Sequence, residues 1–184
     1  MMYSIRIHGR GGQGGRIAAK ILGLAAFFEE KKSQAFALYG AERRGAPVTA
    51  FCRIDDKEIL ERGYIHKPDC VIILDDTLLM EADELKLFDG AESGTVLINT
   101  CHSKIKIPFF QRTNIVCVDA TKIALDIIGK PIYNTTMLGA FAKKTKILKL
   151  DSIREATAKI IGKKKKHLVD ANLKAIQKCY EETK

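Results

Sequence analysis

The stretch that decides the fold reads Tyr3-Ser4-Ile5-Arg6-Ile7-His8-Gly9-Arg10-Gly11-Gly12-Gln13-Gly14-Gly15. Tyr3, Ile5 and Ile7 alternate with polar residues, which is the period-two pattern of a strand. In residues 17–28 the apolar side chains recur at helical spacing instead. The sequence therefore predicts a strand, a glycine-rich turn and a helix in direct succession, a Rossmann-like start.

The glycine-rich turn is of a kind that binds phosphate groups. Gly9, Gly11 and Gly14 satisfy the pattern G-x-G-x-x-G, in which backbone amides and the positive end of a helix can face an anion. A nicotinamide or flavin site normally adds an acidic residue at the end of the second strand, about 20 residues later. The predicted second strand, residues 33–37, ends without a carboxylate. A phosphate-bearing ligand of another kind is therefore favoured, and a turn whose glycines only allow tight packing is the alternative.

The rest of the chain alternates between predicted strands and helices. Apolar runs predict strands at 48–54, 70–74, 95–99 and 114–118, and helical patterns cover 78–88, 121–128, 136–143, 152–161 and 166–180. Asp151 or Ser152 is expected to cap the fourth of these helices, and Gly162 to end it. We predict an α/β fold with three layers, a mostly parallel sheet and C-terminal helices. Residues 1–184 form a single predicted domain, with a helical appendage at about 151–184.

Composition and charge narrow the classes of function. No apolar run reaches the roughly 18–20 residues that span a bilayer, and the N-terminal residues do not resemble a signal peptide, so we expect no membrane contact and a cytoplasmic location. Much of the formal net charge of +9 lies in the C-terminal third, including four lysines at 163–166. We expect that run to form a solvated loop between two helices. No aromatic residues interleave with it, so we predict no nucleic-acid partner.

The five cysteines point away from a metal or redox site in this chain. They include no C-x-x-C pair, so the sequence predicts neither zinc nor an iron–sulfur cluster. Cys52, Cys70 and Cys117 fall within predicted strands, where a thiol behaves as a small apolar residue. We therefore expect the cysteines to be reduced and mostly buried.

Other candidate residues leave alternatives open, and no catalytic constellation is complete. His8 directly precedes the glycine turn and is either a ligand contact or, as we favour, a satisfied structural histidine. Asp75 and Asp76 follow a strand, where they bind a cation or, as we favour, cap the helix that starts near Thr77. The arginine-rich loop 39–47 either recognises an anion or a partner or, as we favour from the residues alone, is a solvated turn. We predict no catalytic residue and no metal site.

Three segments together resemble the gamma subunit of 2-oxoacid:ferredoxin oxidoreductases. They are Gly9-Arg10-Gly11-Gly12-Gln13-Gly14-Gly15, the run from Gln34-Ala35-Phe36 into Tyr39-Gly40-Ala41-Glu42-Arg43-Arg44-Gly45-Ala46-Pro47-Val48, and Asn134-Thr135-Thr136-Met137-Leu138-Gly139-Ala140-Phe141. The forms of the second and third segments are most similar to the pyruvate enzyme. The resemblance spans nearly the whole chain.

The resemblance implies a reaction in which pyruvate, coenzyme A and oxidised ferredoxin give acetyl-CoA, carbon dioxide and reduced ferredoxin. Thiamine diphosphate with magnesium performs the decarboxylation, and 4Fe–4S clusters carry the electrons. The G-D-G…N thiamine motif is absent from this sequence, so the resemblance implies that these cofactors belong to alpha, beta and delta partner subunits. A gamma subunit of a branched-chain 2-oxoacid enzyme is the alternative. A free-standing nucleotide-binding oxidoreductase and a nucleic-acid-binding module are less favoured.

The resemblance also implies which residues bind. In single-chain members of the family, the domain corresponding to gamma helps to hold coenzyme A. It therefore implies a coenzyme A contact from the backbone amides of the turn toward the pyrophosphate, with two arginines as charge partners: Arg10, Gly11, Gly12, Gln13, Gly14 and Arg16. Gly15 stands where many relatives have an apolar residue or a threonine. For Glu42, Arg43 and Arg44, a contact with another subunit is our hypothesis.

Overall fold

The computed structural model describes residues 1–38, 45–103 and 114–184, and at 163–166 it describes the backbone alone. In this part of the chain, six strands form one sheet. They are β1 (Tyr3–Arg10), β2 (Lys32–Ala37), β3 (Pro47–Asp55), β4 (Cys70–Ile73), β5 (Thr95–Asn99) and β6 (Asn114–Val118). Their order across the sheet is β2-β3-β1-β4-β5-β6. All strands of the sequence-based prediction are present, with bounds that differ by two residues at most.

The sheet is mostly parallel, as predicted. Strands β1, β4, β5 and β6 run parallel, whereas β3 is antiparallel to both β1 and β2. In a simple βαβ unit β1 and β2 would be neighbours, but here β3 lies between them. Its pairing with β1 extends from Tyr3 opposite Ile54 to Arg10 opposite Pro47. The first residue of β3 therefore lies beside the last residue of β1.

Five described α-helices cover one face of the sheet. They are α1 (Gly15–Phe28), α2 (Ala120–Ile128), α3 (Tyr133–Thr145), α4 (Leu150–Lys165) and α5 (Val169–Glu182). Alternate strand residues, such as Ile5 and Ile7 of β1, are fully buried and form one core cluster with residues from all five helices. Because α4 and α5 supply Ile153 and Ala175 to this cluster, they pack on the same core as the sheet. The single domain with an appendage stays a prediction.

A thinner layer covers the opposite face, and here the prediction of a helix at 78–88 is wrong. The chain forms a 3₁₀ helix at Asp76–Glu81 and then a series of turns, with Lys86 in a left-handed conformation at φ 50°. The guanidinium of Arg6, on this face of β1, donates hydrogen bonds to the carbonyl oxygens of Lys86 and Leu87. A left-handed residue at position 86 ends a right-handed helix, so Leu87 and Phe88 do not continue one. The 3₁₀ helix and the turns bury Leu78, Leu87 and Phe88 against β4 and β5, a spacing that one helical face does not provide.

The C-terminal helices also differ from the prediction. Helix α4 begins at Leu150, so Asp151 lies in its first turn, and the helix continues through Gly162 to Lys165. A Cβ at Gly162 would lie 3.6 Å from Cγ2 of Val169, an ordinary contact, so nothing there forces the chain out of the helix. The lysine run 163–166 is therefore helical rather than a loop, since a 3₁₀ turn at Lys166–Leu168 leads directly into α5. Among the described helices, none has the length and apolar character needed to cross a bilayer.

Candidate functional site

The glycine turn lies where ligands bind in open α/β sheets. From β1 the chain crosses the helical face through α1 to β2 on one side of the sheet. From β4 it crosses the opposite face through the 3₁₀ helix to β5 on the other side. Strands β1 and β4 are parallel neighbours, so their carboxyl ends flank the point at which the connections diverge. Gly11 to Gly14 follow β1 at this point, and Asp75 follows β4.

The turn has a defined backbone conformation. Gly12 and Gly14 have φ values of 97° and 82°, which favour glycine over residues with a Cβ. The amide of Gln13 donates to the carbonyl oxygen of Arg10 at 3.0 Å. Gly11 extends the pairing of β1 and β3, because its amide donates to the Ala46 carbonyl at 2.8 Å and its carbonyl accepts from the Gly45 amide at 3.2 Å. The end of the predicted loop 39–47 therefore lies against the glycine turn.

Side chains hold the turn on the side that faces the 3₁₀ helix. The carbonyl oxygen of the Gln13 side chain accepts from the Arg10 amide at 2.6 Å, and its Nε2 donates to Asp75 Oδ2 at 2.6 Å. The guanidinium of Arg10 donates to Thr77 Oγ1 and to Glu81 Oε1 and lies 3.6 Å from Asp75 Oδ2. Hydrogen bonds to Thr77 and Glu81 therefore hold the Arg10 side chain against the 3₁₀ helix.

Asp75 has the capping role favoured by the sequence. Its side chain accepts from the Thr77 amide at the start of the 3₁₀ helix, which confirms that interpretation. Burial acts to raise the pKa of Asp75, but hydrogen bonds from Thr77 and Gln13 and the charge of Arg10 outweigh it and hold the pKa below its usual value. Asp75 is thus an ionised acceptor at neutral pH.

Helix α3 holds the turn from the helical face of the sheet. Asn134, in the first turn of α3, is buried, and its Nδ2 donates to the carbonyl oxygen of Gly14 at 3.1 Å. A Cβ at Gly14 would lie 2.5 Å from that same nitrogen. Gly14 is therefore required by its backbone conformation and by the close approach of Asn134.

The outer side of the turn presents backbone amides. Gly14 is the N-cap of α1 and provides no side-chain cap, and the first turn of this helix contains no acidic residue. Among the residues that the structure describes, the amides of Gly12, Gly14 and Gly15 have no hydrogen-bond acceptor. Gly12 is exposed, and so is Arg16 in the first turn of α1. This geometry suits an oxyanion such as a phosphate.

A cleft of about 520 Å³ adjoins the turn along the carboxyl ends of β4, β5 and β6. Asp75 and Tyr133 line it on the side nearest the turn, and burial together with the charge of Asp75 raises the pKa of the Tyr133 hydroxyl. Buried Asn99 forms part of its floor and exchanges hydrogen bonds with Thr121. The described lining residues include four carboxylates and one lysine: Asp75, Asp76, Asp119, Asp126 and Lys122. This described part of the lining is therefore less suited to a phosphate than the glycine turn is.

His8 is a buried residue of β1. Its side chain is 4% exposed, and its Nδ1 lies 3.4 Å from Thr49 Oγ1. Burial and the nearby charge of Arg6 lower the pKa of His8 to about 3, so the ring is neutral at physiological pH. Its Nε2 is buried and has no partner among the described residues.

Comparisons with known proteins give the family of this chain. The family model described as pyruvate ferredoxin/flavodoxin oxidoreductase matches residues 4–182. The chain belongs to this family. It is 46% identical to the pyruvate synthase subunit PorC of Methanocaldococcus jannaschii over 98% of this chain and 97% of that protein. It is 45% identical to the pyruvate/ketoisovalerate oxidoreductases common subunit gamma of Pyrococcus furiosus, over 99% and 97% of the two chains.

A solved structure with the same fold is also a subunit of a pyruvate oxidoreductase. The pyruvate oxidoreductase subunit PORC of Thermotoga maritima superposes with a TM-score of 0.83, at 38% identity, over 100% of this chain and 97% of that one. The resemblance stated from the sequence is confirmed, and the α/β fold with it.

In this member of the pyruvate ferredoxin/flavodoxin oxidoreductase family, the three resembling segments meet at one place. The glycine turn, Gly45 to Pro47 and Asn134 are joined by the hydrogen bonds given above. The hydrogen bonds by which Asp75 and Asn134 hold the turn were not predicted, because the bonded residues lie 62 and 120 positions apart along the chain. Asn134 begins the third segment, which is the one signal that could have drawn attention to it. Glu42, Arg43 and Arg44 lie outside the described residues.

Proposed function

We propose that this chain is the gamma subunit of a pyruvate:ferredoxin oxidoreductase and contributes coenzyme A binding and assembly surface to that enzyme. The observation that carries this proposal is its 46% identity to a pyruvate synthase subunit along nearly the full length of both chains. The overall reaction converts pyruvate, coenzyme A and oxidised ferredoxin to acetyl-CoA, carbon dioxide and reduced ferredoxin. The cytoplasmic location stays a prediction.

The redox chemistry is assigned to partner subunits. Cys52, Cys70 and Cys179 are buried in separate elements, and within the described ranges no group of three or more His, Cys, Asp or Glu residues is placed to hold a metal ion. Such cysteines do not fit the ligation of an iron–sulfur cluster. Thiamine diphosphate, magnesium and 4Fe–4S clusters accordingly belong to the alpha, beta and delta subunits in this proposal.

The part of coenzyme A that this chain contacts is its pyrophosphate. The amides of Gly12, Gly14 and Gly15 have no acceptor among the described residues and lie at the start of α1, where the helix dipole favours negative charge. Arg16 adds a positive charge on the same turn. The amides of Gly11 and Gln13 already have acceptors. We therefore assign the contact with the pyrophosphate mainly to the amides of Gly12, Gly14 and Gly15.

A second candidate is supported by the name of the Pyrococcus furiosus relative, a common gamma subunit of pyruvate and ketoisovalerate oxidoreductases. In that case the same chain serves a pyruvate enzyme and a branched-chain 2-oxoacid enzyme, and the substrate is chosen by the other subunits. Purification from native cells under anoxic conditions, with mass identification of partners, tests both candidates. Viologen reduction that depends on coenzyme A is then assayed with pyruvate and with 2-ketoisovalerate. Recovery of the chain without partners would refute both.

The role of the turn is tested by Gly14→Ala in the assembled enzyme. We expect the KM for coenzyme A to rise about tenfold or more, because alanine is strained at this positive φ and its Cβ meets Asn134. The KM for pyruvate should change little. Gly129→Ala is the matched control, since Gly129 also has a positive φ but ends α2 with open space around its Cβ position. An unchanged KM for coenzyme A in the Gly14 variant would remove the turn from this role.

A further inference from the structure

Asp75 joins the glycine turn to the 3₁₀ helix through both oxygens of its carboxylate. Oδ1 accepts from the amide and the hydroxyl of Thr77, at 3.0 and 2.6 Å. Oδ2 accepts from Nε2 of Gln13 at 2.6 Å and lies 3.6 Å from Nε of Arg10. One side chain therefore couples the conformation of the turn to the carboxyl end of the neighbouring strand.

We infer that Asp75 is a positioning residue for the phosphate-facing turn, that it acts through Gln13, and that Arg10 serves this clamp instead of contacting phosphate. The inference rests on the proposed coenzyme A role of the turn. The clamp consists of Arg10, Gln13, Asp75, Thr77 and Glu81. None of these side chains touches the ligand in this assignment.

The contacts of Arg10 indicate that its side chain belongs to the clamp and does not contact the ligand. Its guanidinium donates to Thr77 and Glu81, and its charge is offset by the carboxylates of Asp75 and Glu81. An arginine that turned toward a phosphate would abandon these bonds and leave two carboxylates unneutralised beside the turn. The attraction for an anion therefore comes from backbone amides, which the clamp holds in place.

Preorganisation is what the clamp contributes to binding. The side chain of Gln13 spans the turn, because its oxygen accepts from the Arg10 amide while its nitrogen is anchored on Asp75. Without the anchor, the turn can leave the conformation in which Gly12 and Gly14 have positive φ and their amides stay without an acceptor among the described residues. Apparent affinity then falls in proportion to the fraction of molecules that keep the competent conformation.

Asp75→Ser separates this role from capping. A serine at an N-cap still accepts from the Thr77 amide, but it is too short to reach Gln13. In the assembled enzyme we expect the KM for coenzyme A to rise about tenfold with the KM for pyruvate unchanged. Hydrogen exchange of the peptide covering residues 9–17 should become faster in the absence of coenzyme A. Asp83→Asn, which removes an exposed carboxylate from the same segment, should change neither quantity.

Gln13→Ala completes the test as a double-mutant cycle. If Asp75 acts through Gln13, the double variant should raise the KM for coenzyme A no further than the stronger single variant. Multiplicative effects would overturn the inference. So would a lower KM for coenzyme A in Asp75→Ser, which is the result expected if Arg10 were a phosphate ligand held back by Asp75.

The exchange measurement distinguishes this inference from the proposed function. If Gly14→Ala raises the KM for coenzyme A while Asp75→Ser changes neither exchange nor KM, the clamp is refuted and the coenzyme A site stands. If exchange alone rises in Asp75→Ser, the assignment of Asp75 to coenzyme A binding is refuted. An additional failure of Gly14→Ala to change the KM would then refute the coenzyme A site as well.

Discussion

Acidification should destabilise this protein through a single buried histidine. His8 lies in β1 with 4% of its surface exposed, and its pKa in the folded protein is lowered to about 3 by burial and by Arg6. In the unfolded chain the pKa returns to about 6.5. As the pH falls below 6.5, the unfolded state binds a proton that the folded state does not, so stability declines toward acid pH.

The size of the effect follows from the two pKa values. Between pH 7 and pH 5 the unfolded histidine becomes protonated while the folded one stays neutral, which lowers the free energy of unfolding by about 2 kcal/mol. Asp75 does not contribute in this range. Its folded pKa lies below the ordinary 3.8, so the stability it provides is present above that value and is lost only in stronger acid.

Urea unfolding of the purified chain at pH 7 and pH 5 measures this difference. His8→Asn keeps a polar group near Thr49 but does not titrate, so its stability should fall by about 2 kcal/mol less than the wild type over the same interval. His167→Asn replaces an exposed histidine and should retain the wild-type pH dependence. If His8→Asn loses as much stability as the wild type between the two pH values, the neutral buried histidine is not the cause.

Two further predictions concern buried contacts that stabilise the fold. Gly139→Ala would place a Cβ on the carbonyl oxygen of Ile176, where α3 crosses α5, and should lower the free energy of unfolding by about 3 kcal/mol or more. Thermal unfolding measures this, with Gly162→Ala as a control that lies in a helix without such a contact and should be neutral or stabilising. Arg53→Ala removes a buried guanidinium that binds two carbonyls of the loop after β3, and should cost about 2–4 kcal/mol and expose that loop to limited proteolysis. Equal cleavage in Arg53→Ala and in the exposed-site variant Arg62→Ala would contradict the second prediction.

The sequence predicts elements better than it predicts how they are assembled. The succession of β1, glycine turn and α1 is visible because the apolar period changes from two residues to helical spacing at the glycines. The insertion of β3 between β1 and β2 is not visible, because each strand shows its own pattern but not its partners. The helix predicted at 78–88 fails for a related reason. Its apolar residues Leu78, Leu87 and Phe88 are buried against β4 and β5 by tertiary packing, which the local sequence pattern does not reveal.

The candidate site could be predicted only in its local part. The glycine turn is contiguous in sequence, and its positive φ values require the residue type that marks it. The groups that fix its shape are distant: Asp75 reads locally as a helix cap, and Asn134 as an ordinary residue of a helix. For Arg10, residue type suggests a phosphate ligand, but the neighbouring carboxylates that decide its role come from another part of the chain.

The insertion of β3 also bears on how the chain reaches its native state. The central strand β1 does not pair with β2, the next strand in the sequence. It pairs with β3, where Arg10 lies opposite Pro47, and with β4, where His8 lies opposite Ile73. In a unit made only of β1, α1 and β2, the two strands therefore form no hydrogen bonds with each other. The sheet surface on which α1 packs is complete only after β3 has paired with both strands. Such high contact order predicts slow folding. During synthesis, β1 and α1 therefore keep apolar surface uncovered until β3 has been made, which favours aggregation of this stretch over that interval.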